Sequence, residues 1–205
     1  MKVLLFGGTF DPPHAGHMNN LRAAMQAVQP DVVQVMPAGI PPHKHASATP
    51  GEVRLAMCEC FKALGPQVQV SRWEIDREGR SYSYNTVAML QQEYPGAELY
   101  MTVGSDMLET FDEWYRWREI LAMAALVVQS REPGDGDALH TAAQRLEKAG
   151  GRIIFAGAPV LECASSEIRA GKYTGAQLQT LLPPPVGDVM RKYGLYGGLM
   201  KDTAQ

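Results

Sequence analysis

A chain of 205 residues, 45% hydrophobic and 20% charged, can bury a sizeable core and is too apolar to stay disordered. Its formal net charge of -3 argues against a broad basic nucleic-acid surface and favours small phosphorylated ligands over long polyanions. Three cysteines, Cys58, Cys60 and Cys163, include no Cys-x-x-Cys pair, so neither a disulfide framework nor the usual zinc signature is expected. Free thiols in a reducing compartment are the simplest account. The first apolar run stops at Gly7, short of a signal-peptide core, and the longest, Ile120 to Val128, is far below the roughly 20 residues of a membrane span. The expectation is a cytoplasmic protein with one domain over residues 1–196 and a tail over 197–205.

Val3-Leu4-Leu5-Phe6, bounded by Gly7-Gly8, reads as a buried strand. Asp11-Pro12-Pro13 sets a rigid bend. A helix follows over 15–28, with Leu21, Met25 and Val28 at helical spacing. His14 and His17 share the first turn of that helix. Its free N–H groups and positive dipole end suit phosphate, so the two imidazoles make a cradle for a polyphosphate.

Further strands are predicted at 32–36, 67–71, 98–103, 124–129 and 152–156. Helices are predicted near 51–64, 83–94, 113–122, 138–149 and 186–193. This alternation predicts an α/β, Rossmann-like doubly wound parallel sheet with helices on both faces. Ligands then bind beyond the carboxyl ends of the strands, where the strand order reverses.

The chemistry-bearing segments follow those strands. The second strand runs into Pro41-Pro42-His43-Lys44, a stiff loop whose lysine could reach a phosphate. Arg54, on the next helix, is either a surface charge or a rim contact. Ser83 or Asn85 could cap the helix that carries Val87, Leu90 and Tyr94. Gly104-Ser105-Asp106, at a strand's end, suits either ribose hydroxyls or a helix N-cap at Asp106. On a helix over 113–122, Trp114 and Trp117 share a face while Tyr115 points elsewhere. Residues 132–137 read as a polar turn. Ser165, Ser166 and Arg169 open a helix, as caps or as an anion site.

The opening Gly7-Gly8-Thr9-Phe10-Asp11-Pro12-Pro13-His14-Ala15-Gly16-His17 resembles the strand–turn–helix signature of the nucleotidyltransferase superfamily, with its His-x-Gly-His core. The chain is similar, in five separated motifs, to the bacterial nicotinate-nucleotide adenylyltransferases. The resemblance implies transfer of the adenylyl group of ATP to nicotinate mononucleotide, giving deamido-NAD and pyrophosphate. Alignment and electrostatic stabilisation would carry the reaction, with no covalent intermediate and with Mg2+ held through the ATP phosphates. It implies His14, His17 and Lys44 as catalytic residues. Gly7, Gly8, Thr9, Phe10, His14, His17, Gly104, Asp106, Ser165, Ser166 and Arg169 would bind ATP. Thr9, Phe10, Lys44, Thr86 and Trp114 would bind the pyridine mononucleotide. In that set Trp114 stacks on the ring, Thr86 reads its carboxylate and Trp117 is left to packing.

Two segments depart from the family pattern. Ser83 and Asn85 stand in a segment that otherwise reads Ser-Tyr-Thr-x-Asp-Thr. Cys163 and Ala164 replace Ile and the first Ser of Ile-Ser-Ser-Thr-x-Ile-Arg, and Ser166 replaces its Thr, so one hydroxyl contact is lost. A different acceptor, or a nucleotide-binding module without catalysis, are the competing readings. The Trp114 and Thr86 segments argue against the first, and pyrophosphate release tests the second. An aminoacyl-tRNA synthetase shares the strand–turn–helix logic, but this chain has no tRNA-binding extension.

Overall fold

The computed structural model describes residues 1–41, 47–130, 136–157, 161 and 163–198. Six strands, β1 (Lys2–Gly8), β2 (Val32–Pro37), β3 (Val68–Val70), β4 (Glu98–Val103), β5 (Ala124–Ser130) and β6 (Ile153–Gly157), form one sheet in the order β3-β2-β1-β4-β5-β6. Every pairing is parallel. The expected doubly wound α/β sheet is therefore present.

Alternation along the strands sends side chains to two cores, as a sheet covered on both faces requires. Leu4, Phe6, Val33, Val35 and Val127 face one side. They pack against α1 (Ala15–Val28), α2 (Gly51–Cys58), α7 (Ser165–Arg169), α8 (Gly175–Leu181) and α9 (Pro184–Lys192). Val3, Leu5, Met101, Leu126 and Val128 face the other side, covered by α3 (Ser83–Glu93), α4 (Ser105–Glu109), α5 (Trp117–Met123) and α6 (Gly136–Lys148). Among the described residues, no helix is long and apolar enough to cross a membrane.

Register explains where a ligand can enter. β1 pairs with β2 as far as Gly8 opposite Pro37, but with β4 only as far as Leu5 opposite Met101. The last three residues of β1 thus part from β4, and the sheet opens at the point where its order reverses.

Several local expectations change. The helix predicted over 113–122 is broken: Phe111–Glu113 form a 3-10 turn, Trp114 is extended, and Arg116 adopts φ 56° before α5 begins at Trp117. Trp114 and Trp117 therefore do not share a helix face. The helix predicted over 51–64 ends as α2 at Cys58 and continues as a 3-10 turn over Glu59–Leu64. Tyr82 is the N-cap of α3, so neither Ser83 nor Asn85 caps it. The N-cap of α4 is Gly104, not Asp106, and that of α7 is Ala164. The helix that a cap at Asp106 implied is present as α4, starting two residues earlier, whereas α8, seven residues long, is too short for a helical period to stand out in the sequence.

Candidate active site

The strand–turn–helix opening forms as expected. His14 is the N-cap of α1 in an extended conformation, φ -145° and ψ 175°. Its backbone N–H donates to Nδ1 of His17 at 3.3 Å, and the two ring centroids lie 3.9 Å apart. A neutral His17 that accepts at Nδ1 must carry its proton on Nε2. Gly16 is glycine for a steric reason: a Cβ there would lie 3.0 Å from Cε1 and Nδ1 of His14. The family's His-x-Gly-His spacing thus packs one imidazole over the bare backbone between the two.

Burial depresses both imidazoles. His14 is 5% exposed and lowered to about 4. His17 is held well below its ordinary value by desolvation and then by His14. Near neutral pH both are uncharged hydrogen-bond groups rather than cations.

The turn ahead of them is anchored from a distance. Asp11, 4% exposed, accepts from Ser47 Oγ at 2.5 Å and from Tyr196 Oη at 2.6 Å. Burial works to raise its carboxyl, but hydrogen bonds from Ser47, Thr49 and Tyr196, with the Arg169 charge, outweigh it and hold it below the ordinary value. Arg169 Nη1 donates to the Asp11 carbonyl at 2.6 Å, and Ser165 Oγ to the Pro12 carbonyl at 2.9 Å. Two residues expected on the triphosphate are therefore tied to the turn that carries the histidines. Ser166 is exposed beside them.

Arg54 is neither a surface charge nor a rim contact. It is 3% exposed and donates to the carbonyls of Thr49 (3.2 Å), Thr9 (2.9 Å), Ala38 (2.7 Å) and Gly39 (3.4 Å). One guanidinium joins the loops that leave β1 and β2, a task for which its planar set of five donors is suited. Periodicity gave no sign of this, because the position falls on a helix and its partners are backbone oxygens.

Two cavities meet at the parted strands. The smaller, about 130 Å³, is lined by His17, Asn20, Gly104 and Gln129 among others. The buried Nε2 of Gln129 has no hydrogen-bond partner among the described residues. The larger, about 370 Å³, is lined by Thr9, Glu74, Ser81, Tyr82, Asp106, Trp114 and Tyr115 among others. Gly7, Gly8 and Thr102 line both. Gly104 lets Asp106 fold back: a Cβ at Gly104 would lie 2.6 Å from Asp106 Oδ1. Asp106 thereby joins the larger cavity, while Gly104 stays with the smaller.

Trp114 is half-buried, with its ring centroid 4.9 Å from that of Phe111. Tyr115 does not point away, as a continuous helix would require. It lines the same cavity and packs on Tyr82 at 4.9 Å. Trp117 packs into the core on that face.

Phe10 lies in the core at φ 51°, 1% exposed, against Phe6, Phe61 and His17. Its ring supports His17 and lines neither cavity. Thr86 is also buried, and its hydroxyl donates to the Glu74 carboxylate, so of that pair it is Glu74 that reaches the larger cavity. Burial raises the Glu74 carboxyl, although bonds from Thr86 and Ser81 oppose it. Lys44 lies outside the described residues.

A parallel sheet that opens at its switch point, with a helix start and paired imidazoles beside two joined cavities, is the architecture of a nucleotide-binding transferase. Residues 5–171 match the family model described as cytidylyltransferase-like. The chain is 36% identical over 202 residues to a Neisseria meningitidis serogroup C protein named "Probable nicotinate-nucleotide adenylyltransferase", covering 95% of this chain and 98% of that one. A Clostridium tetani protein of the same name is 33% identical over 197 residues, with the same coverage of each chain. The solved structure of Plasmodium falciparum nicotinic acid mononucleotide adenylyltransferase complexed with NaAD has a similar fold. Its TM-score is 0.75 at 16% identity, covering 96% of this chain and 97% of that one. The same enzyme complexed with APC gives 0.74 at 17% identity, with equal coverage. The chain therefore belongs to the cytidylyltransferase-like family and, within it, to the nicotinate-nucleotide adenylyltransferases.

Proposed function

We infer that this chain transfers the adenylyl group of ATP to nicotinate mononucleotide, releasing pyrophosphate and deamido-NAD, a step of NAD biosynthesis. The observation that carries the reading onto this chain is the meeting of two cavities at Gly7, Gly8 and Thr102, beside the start of α1. One cavity suits each nucleotide, and their phosphates meet between them.

A phosphate oxygen of the acceptor attacks the α-phosphorus of ATP. One P–O bond forms there, and the bond to the bridging oxygen breaks as pyrophosphate leaves. No protein nucleophile is required. The protein supplies alignment, which contributes on the order of 7–11 kcal/mol. It also supplies fixed donors, roughly 3–4 kcal/mol each where charge develops. His17 Nε2–H, the first N–H groups of α1 and the neighbouring His14 are such donors in this reading. Lys44 would add a positive charge. Arg169 has further N–H groups beyond the one on Asp11. The protein works in the cytoplasm in this reading, and magnesium arrives as part of the substrate, MgATP, on phosphate oxygens.

Trp114 and Tyr115 flank the pyridine ring in the larger cavity, and Asp106 accepts from ribose hydroxyls. Gly104 and Gln129 face the ATP side, Gly7, Gly8 and Thr102 lie between the two ligands, and Thr9 faces the pyridine nucleotide. Thr86 contributes indirectly, its hydroxyl holding Glu74 at the wall of the larger cavity.

Purified protein with MgATP and nicotinate mononucleotide should release pyrophosphate and deamido-NAD, and nicotinamide mononucleotide should turn over more slowly. Absence of pyrophosphate with either acceptor would leave a binding module. Equal or faster turnover of the amide would overturn the acceptor.

A further inference from the structure

We propose that Tyr196 is a positioning residue for adenylyl transfer, pinning the Asp11 carboxylate so that the turn leading into His14 and His17 stands in one place. The proposal rests on the reaction assigned above but concerns a residue that lines neither cavity. Asp11-Pro12-Pro13 has a weakness built into it: its two prolines have no N–H, so no backbone donor of theirs can hold the turn. What holds it instead is five donors from three distant segments, aimed at two consecutive residues, Thr49 adding to the Ser47 bond on the Asp11 carboxylate. Ser47 and Tyr196 each take one oxygen of the Asp11 carboxylate, Arg169 takes the Asp11 carbonyl, and Ser165 takes that of Pro12.

The Tyr196 bond spans 185 residues, the longest sequence separation of the five. Tyr196 itself sits at φ 53°, a conformation uncommon for tyrosine, in a 3-10 turn after α9. The backbone there is arranged so that a half-buried ring reaches inward to a carboxylate that is almost wholly covered. Ser165 and Arg169 are themselves expected on phosphate, whereas Tyr196 lines neither cavity, packs against the core and gives its hydroxyl to the turn. It therefore acts on the reaction through the placement of the histidines. Site groups must be held to within about 0.5 Å, and a displacement of about 1 Å far from the chemistry can cost 10²-fold in rate.

The test compares the full chain with Tyr196→Phe and Tyr196→His by steady-state kinetics, thermal unfolding and ring-proton NMR without ligand. For Tyr196→Phe, kcat should fall about tenfold or more, with KM for MgATP and nicotinate mononucleotide within about twofold and little change in Tm. Tyr196→His keeps a ring donor and should recover part of kcat. A lowered Tm with kcat per folded molecule unchanged, or equal kcat for the Phe and His variants, would overturn the proposal. In NMR, the ring resonances lost in His14→Gln and His17→Gln should shift in the Tyr196 variants. Those of the other three of the five histidines should stay put. Unmoved His14 and His17 resonances would also overturn it. The NMR arm is read without substrate, so it still decides the matter if the wild-type chain fails to release pyrophosphate, an outcome that would count against the assigned reaction alone.

Discussion

The backbone N–H of His14 points at Nδ1 of His17, and this one contact decides which nitrogen of His17 is free to act. It selects the Nε2–H tautomer and turns a neutral ring into a donor on the wall of the smaller cavity. His17→Ala should lower kcat by about 10²-fold or more, as loss of one fixed donor does. Pyrophosphate release under saturating substrates measures it, and a rate near wild type would remove His17 from the chemistry.

The same pair sets a pH dependence of stability. A neutral imidazole whose folded value is depressed is protonated more readily in the unfolded chain. For His14 the window runs from about 6.5, the ordinary value, down to about 4. Stability should be fully present above that window and fall as pH drops through it, by up to about 1.4 kcal/mol per pH unit for each such group. His17 works in the same sense. Asp11, held below its ordinary value, adds a further loss at lower pH. Glu74, raised by burial, acts in the opposite direction over the carboxylate range. Urea midpoints from pH 7.5 to 5 should decline, and His14→Gln should flatten the decline. A level profile would show that the imidazoles charge freely in the fold.

Arg54→Met should destabilise the protein by about 2–4 kcal/mol. It strips donors from the buried carbonyl of Thr49 and the half-buried carbonyls of Thr9 and Ala38. Arg54→Lys should recover only part, because one ammonium cannot span the same fork. Because Thr9 and Ala38 line the larger cavity, KM for the pyridine nucleotide should rise in the same variants. Urea unfolding together with KM separates this from a surface substitution, which would move neither.

Trp114→Ala and Tyr115→Ala should each raise KM for nicotinate mononucleotide by about tenfold, the scale of losing one aromatic contact and the area it covers. Trp117→Ala should lower Tm and leave that KM near wild type, because Trp117 packs in the core. The reverse pattern would exchange the roles of the two tryptophans.

How far these features were legible depends on the range of the interaction. The β1 turn and α1 were readable because glycine, proline and the His-x-Gly-His spacing act within one turn of chain. The sheet was readable because its strands are apolar on both faces. The break at Trp114–Arg116 was hidden: a non-glycine residue at φ 56° carries no mark in the sequence, so an aromatic run at helical spacing looked like one helix. Thr86 matched its motif by identity, yet its hydroxyl is spent on Glu74, a partner with nothing in its own neighbourhood to announce it. Asp11 with Tyr196 and Arg54 with four carbonyls are meetings made by the tertiary fold, and no local pattern encodes them.

The tip of β1, where it leaves β4 but not β2, stands as a narrow partition between two compartments. If each substrate of the proposed reaction takes one side, the finished dinucleotide would straddle the partition, and letting go of either half would leave it tethered by the other. A floor plan of this kind predicts that escape of the dinucleotide is slower than bond making.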